Sequence, residues 1–161
     1  MALFCGELDM ASASAQTTAS YISVDHLLGG KQVLPVKPQT PLDWVSVIRN
    51  GIHSSAVDSL TKFTHLSQAE LSAALGIPER TLARRKREGK FNSEESAKLI
   101  RLARVIERAE EVFENFDMAI DWLKSANASL SGTTPLSLLD TDIGAESVMD
   151  SLGRIEHGVF A

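Results

Sequence analysis

The chain has 161 residues, 43% hydrophobic and 23% charged, which is enough for one or two small domains with real cores and ordinary for a globular protein. Its single cysteine, Cys5, excludes a disulfide framework, a cysteine-based zinc cluster and a CxxC redox pair. No window approaches the ~18 apolar residues of a membrane span, and the start, MALFCGELDMASASAQ, lacks the basic end of a secretory signal, so cytoplasmic residence is expected.

The net charge of −5 is unevenly spread. Arg80 to Lys90, RTLARRKREGK, holds six bases and one acid, whereas from Glu110 onward ten acids face only Lys124 and Arg154. The first segment suits a polyanion and the second a basic protein surface.

Residues 1–40 read as a poorly structured extension. ASASAQTTAS is low in complexity, and LLGGKQVLPVKPQTP mixes turn formers without a period, though a short strand or helix around Tyr21–Leu28 is allowed. The Leu-Leu-Gly-Gly-Lys stretch has a superficial likeness to a phosphate loop, but it lacks the G-x-x-x-x-G-K-[ST] spacing and continues with Gln32.

From Pro41 the pattern is helical. Thr40 caps a helix with Pro41 at its first position, Leu42, Val45 and Ile48 form its apolar stripe, and Gly51 stops it. A second helix, Ser54 to about His65, carries Val57, Leu60 and Phe63. Ser67 and Glu70 form a capping box for a third that ends at Gly76; a fourth runs from Pro78 or Glu79 to near Gly89. Asn92 and Glu95 open a long fifth helix with an inward face of Leu99, Leu102, Ala103, Ile106, Ala109 and Phe113. Glu110, Glu111 and Glu114 fall on its solvated side. Met118–Ala126 follows with Ala119, Trp122 and Leu123 inward. Pro135–Leu139 gives a short helical turn, and a last helix, Ile143–Glu156, presents Ala145, Val148, Met149, Leu152 and Ile155. No period-2 strand emerges, so the expected fold is all-α, with segments 1–40, 41–92 and 93–161.

Gln68 to Gly89 carries the most physical information. Two helices cross tightly only with small residues at the crossing and a glycine in the left-handed turn position. Ser72 and Gly76 supply these, and Ile77 and Leu82 plug the angle in front of Leu71 and Leu75. The spacing is that of a helix-turn-helix and resembles phage-repressor-like DNA-binding domains. Arg80, Arg84 and Arg87 share one face of the second helix. Since such a helix enters the major groove N-terminal end first, Glu79, Arg80 and Arg84 are the candidate base readers. Thr81, Arg85, Lys86, Arg87 and Lys90, with Gln68 on the preceding helix, are candidate phosphate contacts, although Arg85 could instead pack its stem on the domain.

From about Leu66 the sequence resembles the Xre/MbcA/ParS antitoxin family. The matching stretches are RLARVIERAEEVF (101–113), AIDWLKSANASLSGTTPLSLLDTDIGAESV (119–148) and LGRIEHGVFA (152–161); Ser131-Gly132 departs where a glycine pair is common. The resemblance implies a helical toxin-binding domain at the C-terminus, a RES-domain NAD-consuming toxin as partner, and operator DNA as second ligand. It further implies inhibition by covering the toxin's active-site cleft. The candidate plug is the last helix and its tail: Arg154, Glu156, His157, Gly158, Val159, Phe160 and Ala161. Their small apolar end and free carboxylate suit an arginine-lined cleft. Trp122, Leu123, Leu130 and Pro135 read as core.

No catalytic constellation, cofactor motif or metal-ligand spacing is found. His26, His53, His65 and His157 are scattered, and Asp140 and Asp142 read as helix-start carboxylates. A homodimer is expected, because one small helix-turn-helix makes few base contacts; a larger hetero-oligomer with toxin would follow, with the long helix and the C-terminal domain as candidate dimer surfaces. The competing readings are a free-standing repressor with a partner-sensing C-terminal domain, and a pure inhibitor whose helix-turn-helix is structural.

Overall fold

A computed structural model describes residues 21–158. Among these residues there are eight α-helices and no strand, only the isolated bridges His53–Lys90 and Asn127–Thr133. The helices are α1 (Val24–Leu27), α2 (Pro41–Asn50), α3 (Ser55–Thr64), α4 (Gln68–Leu75), α5 (Glu79–Glu88), α6 (Ser93–Phe113), α7 (Phe116–Lys124) and α8 (Asp142–Glu156). Short 3-10 turns lie at Gly30–Gln32, Ala128–Leu130 and Pro135–Leu138.

Local chemistry sets the helix starts. Thr40 with Asp43, Ser67 with Glu70 and Asn92 with Glu95 each form a reciprocal capping box, so N-cap side chain and third helical residue satisfy each other's backbone N–H groups. The α7 start differs from expectation by two residues, because Asn115 accepts from the Met118 N–H and begins the helix at Phe116.

The axis of the molecule is α6. It packs against α1, α2 and α4 on one side and α7 and α8 on the other. Leu99, Leu102, Ala103, Ile106 and Ala109 are buried as their spacing implies, and Ile100 and Val105 widen the buried face beyond the expected stripe. One continuous core therefore runs through the chain on both sides of this helix. The division expected at residue 92 falls at the start of α6.

Two expectations are corrected. Residues 21–40 are folded onto the core: Leu27 and Leu28 are fully buried, with Val33 and Leu34 beside them. A helix of four residues does not persist alone. Here the Ile22 N–H donates to Glu110 Oε2 (2.9 Å) and the Val24 N–H to Glu107 Oε1 (3.2 Å), so two carboxylates of α6 satisfy amides that α1 leaves open. Glu110 is accordingly buried at 7% exposure, not on a solvated side. Burial also pushes the Glu107 carboxyl above the usual carboxylate range, in spite of its Val24 bond. The expected extension over residues 1–20 lies outside the described residues.

The second correction concerns α2. Leu42 is 75% exposed and Val45 is also exposed, while Trp44, Val47 and Ile48 pack against the core. The helix is rotated from its expected face because the bulky indole takes the inward position.

Glycines in α8 give a direct test of the packing. A Cβ on Gly144 would sit 1.8 Å from the Leu138 carbonyl oxygen, whereas one on Gly153 meets nothing within 4 Å. Gly144→Ala is expected to cost about 2–3 kcal/mol by overpacking, and Gly153→Ala to gain about 0.5–1 kcal/mol by helix propensity. Urea-unfolding midpoints of the two variants check both signs.

Candidate functional site

The α4–α5 unit has the helix-turn-helix geometry. Gly76 closes α4 at φ 61°, a conformation that penalises any side chain. The Ser72 hydroxyl donates to the Ile77 carbonyl (2.6 Å) and the Ile77 N–H to the Ser72 carbonyl (3.2 Å), so the small residue at the crossing also pins the turn. Leu71, Leu75, Ile77 and Leu82 are all buried behind it.

The cations of α5 divide by where carboxylates stand. Glu79, Arg80, Arg84 and Arg87 are exposed, as are Gln68 at the start of α4 and Lys90 after α5; Thr81 is half-buried. Arg80 and Arg87 have no ion-pair partner among the described residues, and Arg84 makes only a loose 3.7 Å pair with Glu88. Lys86 reaches Asp58 of α3 at 2.7 Å. Arg85 is used differently. Its Nε and Nη2 donate to Glu95 at 2.8 and 3.1 Å, and its Nη1 donates to Glu88 at 2.7 Å. Glu95 is buried and also completes the Asn92 capping box, so one carboxylate fastens α5 to the start of α6. The expected phosphate contact at Arg85 is therefore corrected to a strut, because the fork that would hold a phosphate already holds a carboxylate. Sequence spacing identified Glu95 as a cap and carried no sign of this second, cross-helix role.

On the other side of α6, Leu123, Leu130 and Pro135 are buried and Trp122 lies against Phe113 with ring centroids 5.7 Å apart, as expected of core. Arg101 binds the Leu139 and Asp140 carbonyls at 3.0 and 3.1 Å and pairs with Asp142, which fixes the turn before α8. At the far end Arg108 pairs with Glu156 and with Glu111, and holds the Glu156 carboxyl below the usual range. Of the expected tail contacts, Glu156 is thus engaged within the subunit. Arg154, His157 and Gly158 are exposed, and Val159, Phe160 and Ala161 lie outside the described residues. A groove of about 620 Å³ runs between α6 and α8, with Arg104 on one wall and Glu146 and Asp150 on the other.

The two halves meet through Lys124 of α7, which pairs with Glu70 of α4 at 3.2 Å, and through Asp140, whose Cβ lies 3.2 Å from where a Cβ on Gly76 would be. The Ser67 N–H, with help from Lys124, holds the Glu70 carboxyl below the usual range. None of these long-range pairs was readable from spacing. Among the described residues, no three or more His, Cys, Asp or Glu side chains gather as a metal site, and no helix is long and apolar enough to cross a membrane.

Comparison with known proteins gives this arrangement a context. Residues 43–104 match the family model of the antitoxin Xre-like helix-turn-helix domain, and residues 108–158 that of the antitoxin Xre/MbcA/ParS C-terminal toxin-binding domain. The chain is similar to an Antitoxin Xre of Yersinia enterocolitica, 38% identical over 80% of this chain and 86% of that one. It is also similar to an Antitoxin Xre of Photorhabdus laumondii, 34% identical over 72% and 80%. A protein of Sphingobium sp. named Prs ADP-ribosylating antitoxin is 26% identical over 76% and 83%.

The strut and the exposed arginines separate in a stability measurement. Arg85→Ala is expected to lower the thermal midpoint, and Arg84→Ala to leave it unchanged. Equal midpoints for the two variants would return Arg85 to the phosphate set.

Proposed function

Since the chain belongs to the Xre family of type II antitoxins, with a helix-turn-helix domain and a toxin-binding domain, we propose that it neutralises a RES-domain NAD-consuming toxin and represses its own operon. The observation that carries the reading is the division of surface. Arg80 and Arg87 on α5 are left without carboxylate partners among the described residues, and Arg108 anchors the end of α8 in an acidic unit.

On the DNA side, Glu79, Arg80 and Arg84 read base edges from the N-terminal half of α5. Gln68, Thr81, Lys86, Arg87 and Lys90 contact phosphates. Lys86 keeps Asp58 with one donor of its ammonium group and has two further donors to offer a phosphate. Two copies reading half-sites about one helical turn apart supply the affinity that one unit lacks. Of the two expected dimer surfaces, the C-terminal unit is the one with large exposed apolar groups, Met118 and Ile143, and is the surface proposed to pair.

On the toxin side, Arg154, His157 and Gly158 lead the tail formed by Val159, Phe160 and Ala161 into the active-site cleft.

Two measurements check this. Binding to the protein's own promoter fragment is expected to weaken with salt at a log–log slope of about −3 per subunit from Lys86, Arg87 and Lys90. Arg80→Ala with Arg84→Ala is expected to abolish the shift and leave toxin neutralisation intact. Co-expression with a RES-domain toxin encoded beside this gene is expected to preserve cellular NAD, and deletion of residues 154–161 to restore depletion. Unchanged NAD loss with the full chain present would overturn the antitoxin–RES pairing.

A further inference from the structure

The Gly29-Gly30-Lys31 turn has no role in the site above, yet it is built with care. Gly29 and Gly30 adopt φ of 113° and 59°, and a Cβ on Gly29 would lie 2.6 Å from Val33 Cγ2. Gly29 therefore requires glycine, closed in by Val33 and Ser59, whereas Gly30 faces open space. Between the turn and α3 lies a cleft of about 520 Å³ with Lys31 on one wall and Lys62 on the other. Neither lysine has an ion-pair partner among the described residues. The one carboxylate on the lining, Asp58, is already held by Lys86. What is left is two cations, the Ser59 hydroxyl and the Gly30 amide around a hollow, a set that recognises a phosphate.

A free nucleotide is poorly served there. The two aromatic rings on the lining, Phe63 and His26, lie tilted against each other with centroids 5.2 Å apart, so each gives part of its surface to the other and not to a base. A duplex backbone is well served. The Lys86–Asp58 pair joins α5 directly to the cleft wall, and Lys62 stands one helical turn, about 5.4 Å, beyond Asp58 on the same face of α3.

We propose that Lys62 and the Gly29–Lys31 turn form a second phosphate clamp, which holds the operator backbone beside the segment read by α5. This rests on the DNA-binding reading above and extends its footprint to residues that precede the helix-turn-helix. Lysine on a phosphate carries no sequence information, so the clamp strengthens every duplex alike. The fold of residues 21–38 onto the core thereby acquires a purpose beyond burial: it carries Lys31 to the rim of α3.

The test uses the full chain, an operator duplex and an unrelated duplex of equal length, titrated across salt concentrations. The double variant Lys31→Gln, Lys62→Gln is expected to flatten the log K against log salt slope by about 1–2 on both duplexes, with the same fold-loss of affinity on each. An unchanged thermal midpoint accompanies this result, since both side chains are exposed. A wild-type slope in the variant overturns the clamp and leaves the α5 reading standing. Failure of the wild-type chain to bind either duplex overturns the DNA-binding reading itself. In a separate arm, ADP or inorganic phosphate is added while the Gly29 and Gly30 amide resonances are followed. Saturable shifts there, with duplex binding unaffected by the lysine substitutions, assign the cleft to a free phosphate ligand and overturn the duplex assignment.

Discussion

Everything in the molecule depends on the burial of α6 from both sides. Leu99, Ile106 and Ala109 are completely removed from solvent, and the groups that cover them come from the helix-turn-helix side and the C-terminal side together. At ~25 cal/mol per Å² of apolar surface, this shared burial is the main favourable term holding the two units together. The two units share α6 in one continuous core, so they are parts of one body.

Polar contacts then fix the register that apolar burial leaves loose. Arg85 with Glu95 sets α5 against the start of α6, Arg101 sets the turn before α8 against its middle, and Arg108 sets the end of α8. Lys124 with Glu70 ties α7 to α4 directly. Each uses a charged or forked donor against a carboxylate or a carbonyl whose position is already fixed, which is where such bonds are strongest. The Gly76–Asp140 approach adds a steric stop at the turn itself. The direction of α5 is thus set partly by residues 139–142, far along the chain.

Much of this was legible in the sequence because it is local. Each of the three capping boxes spans only four residues, and the Ser72, Gly76, Ile77 and Leu82 positions repeat a spacing that steric necessity imposes. The C-terminal domain was legible through resemblance, not through periodicity. What stayed hidden depends on distant partners. Helix α1 exists because Glu107 and Glu110, more than eighty residues away, accept its amides. The α2 stripe was assigned to the wrong face because Leu42, Val45 and Ile48 fit a helical period as well as Trp44, Val47 and Ile48 do. Periodicity names a face only when one candidate face is apolar and the other is not.

The same distinction governs charge. Net charge says that this chain repels a polyanion, and local charge says that α5 attracts one, but neither says which cations are available. That depends on where carboxylates stand in three dimensions. Glu95 and Glu88 take up the Arg85 fork, Asp58 holds Lys86, and Arg80 and Arg87 on the same helix are left without a counter-ion among the described residues. A run of six bases thus separates into struts and an open face, although all six look alike in sequence. Arg85 sits between Arg84 and Lys86, and a rotation of 100° per residue is enough to turn it from solvent to the α6 carboxylate. An arginine on a helix becomes a ligand-binding group when its neighbours in the fold have no acid to offer it, and that condition is met along one edge of α5.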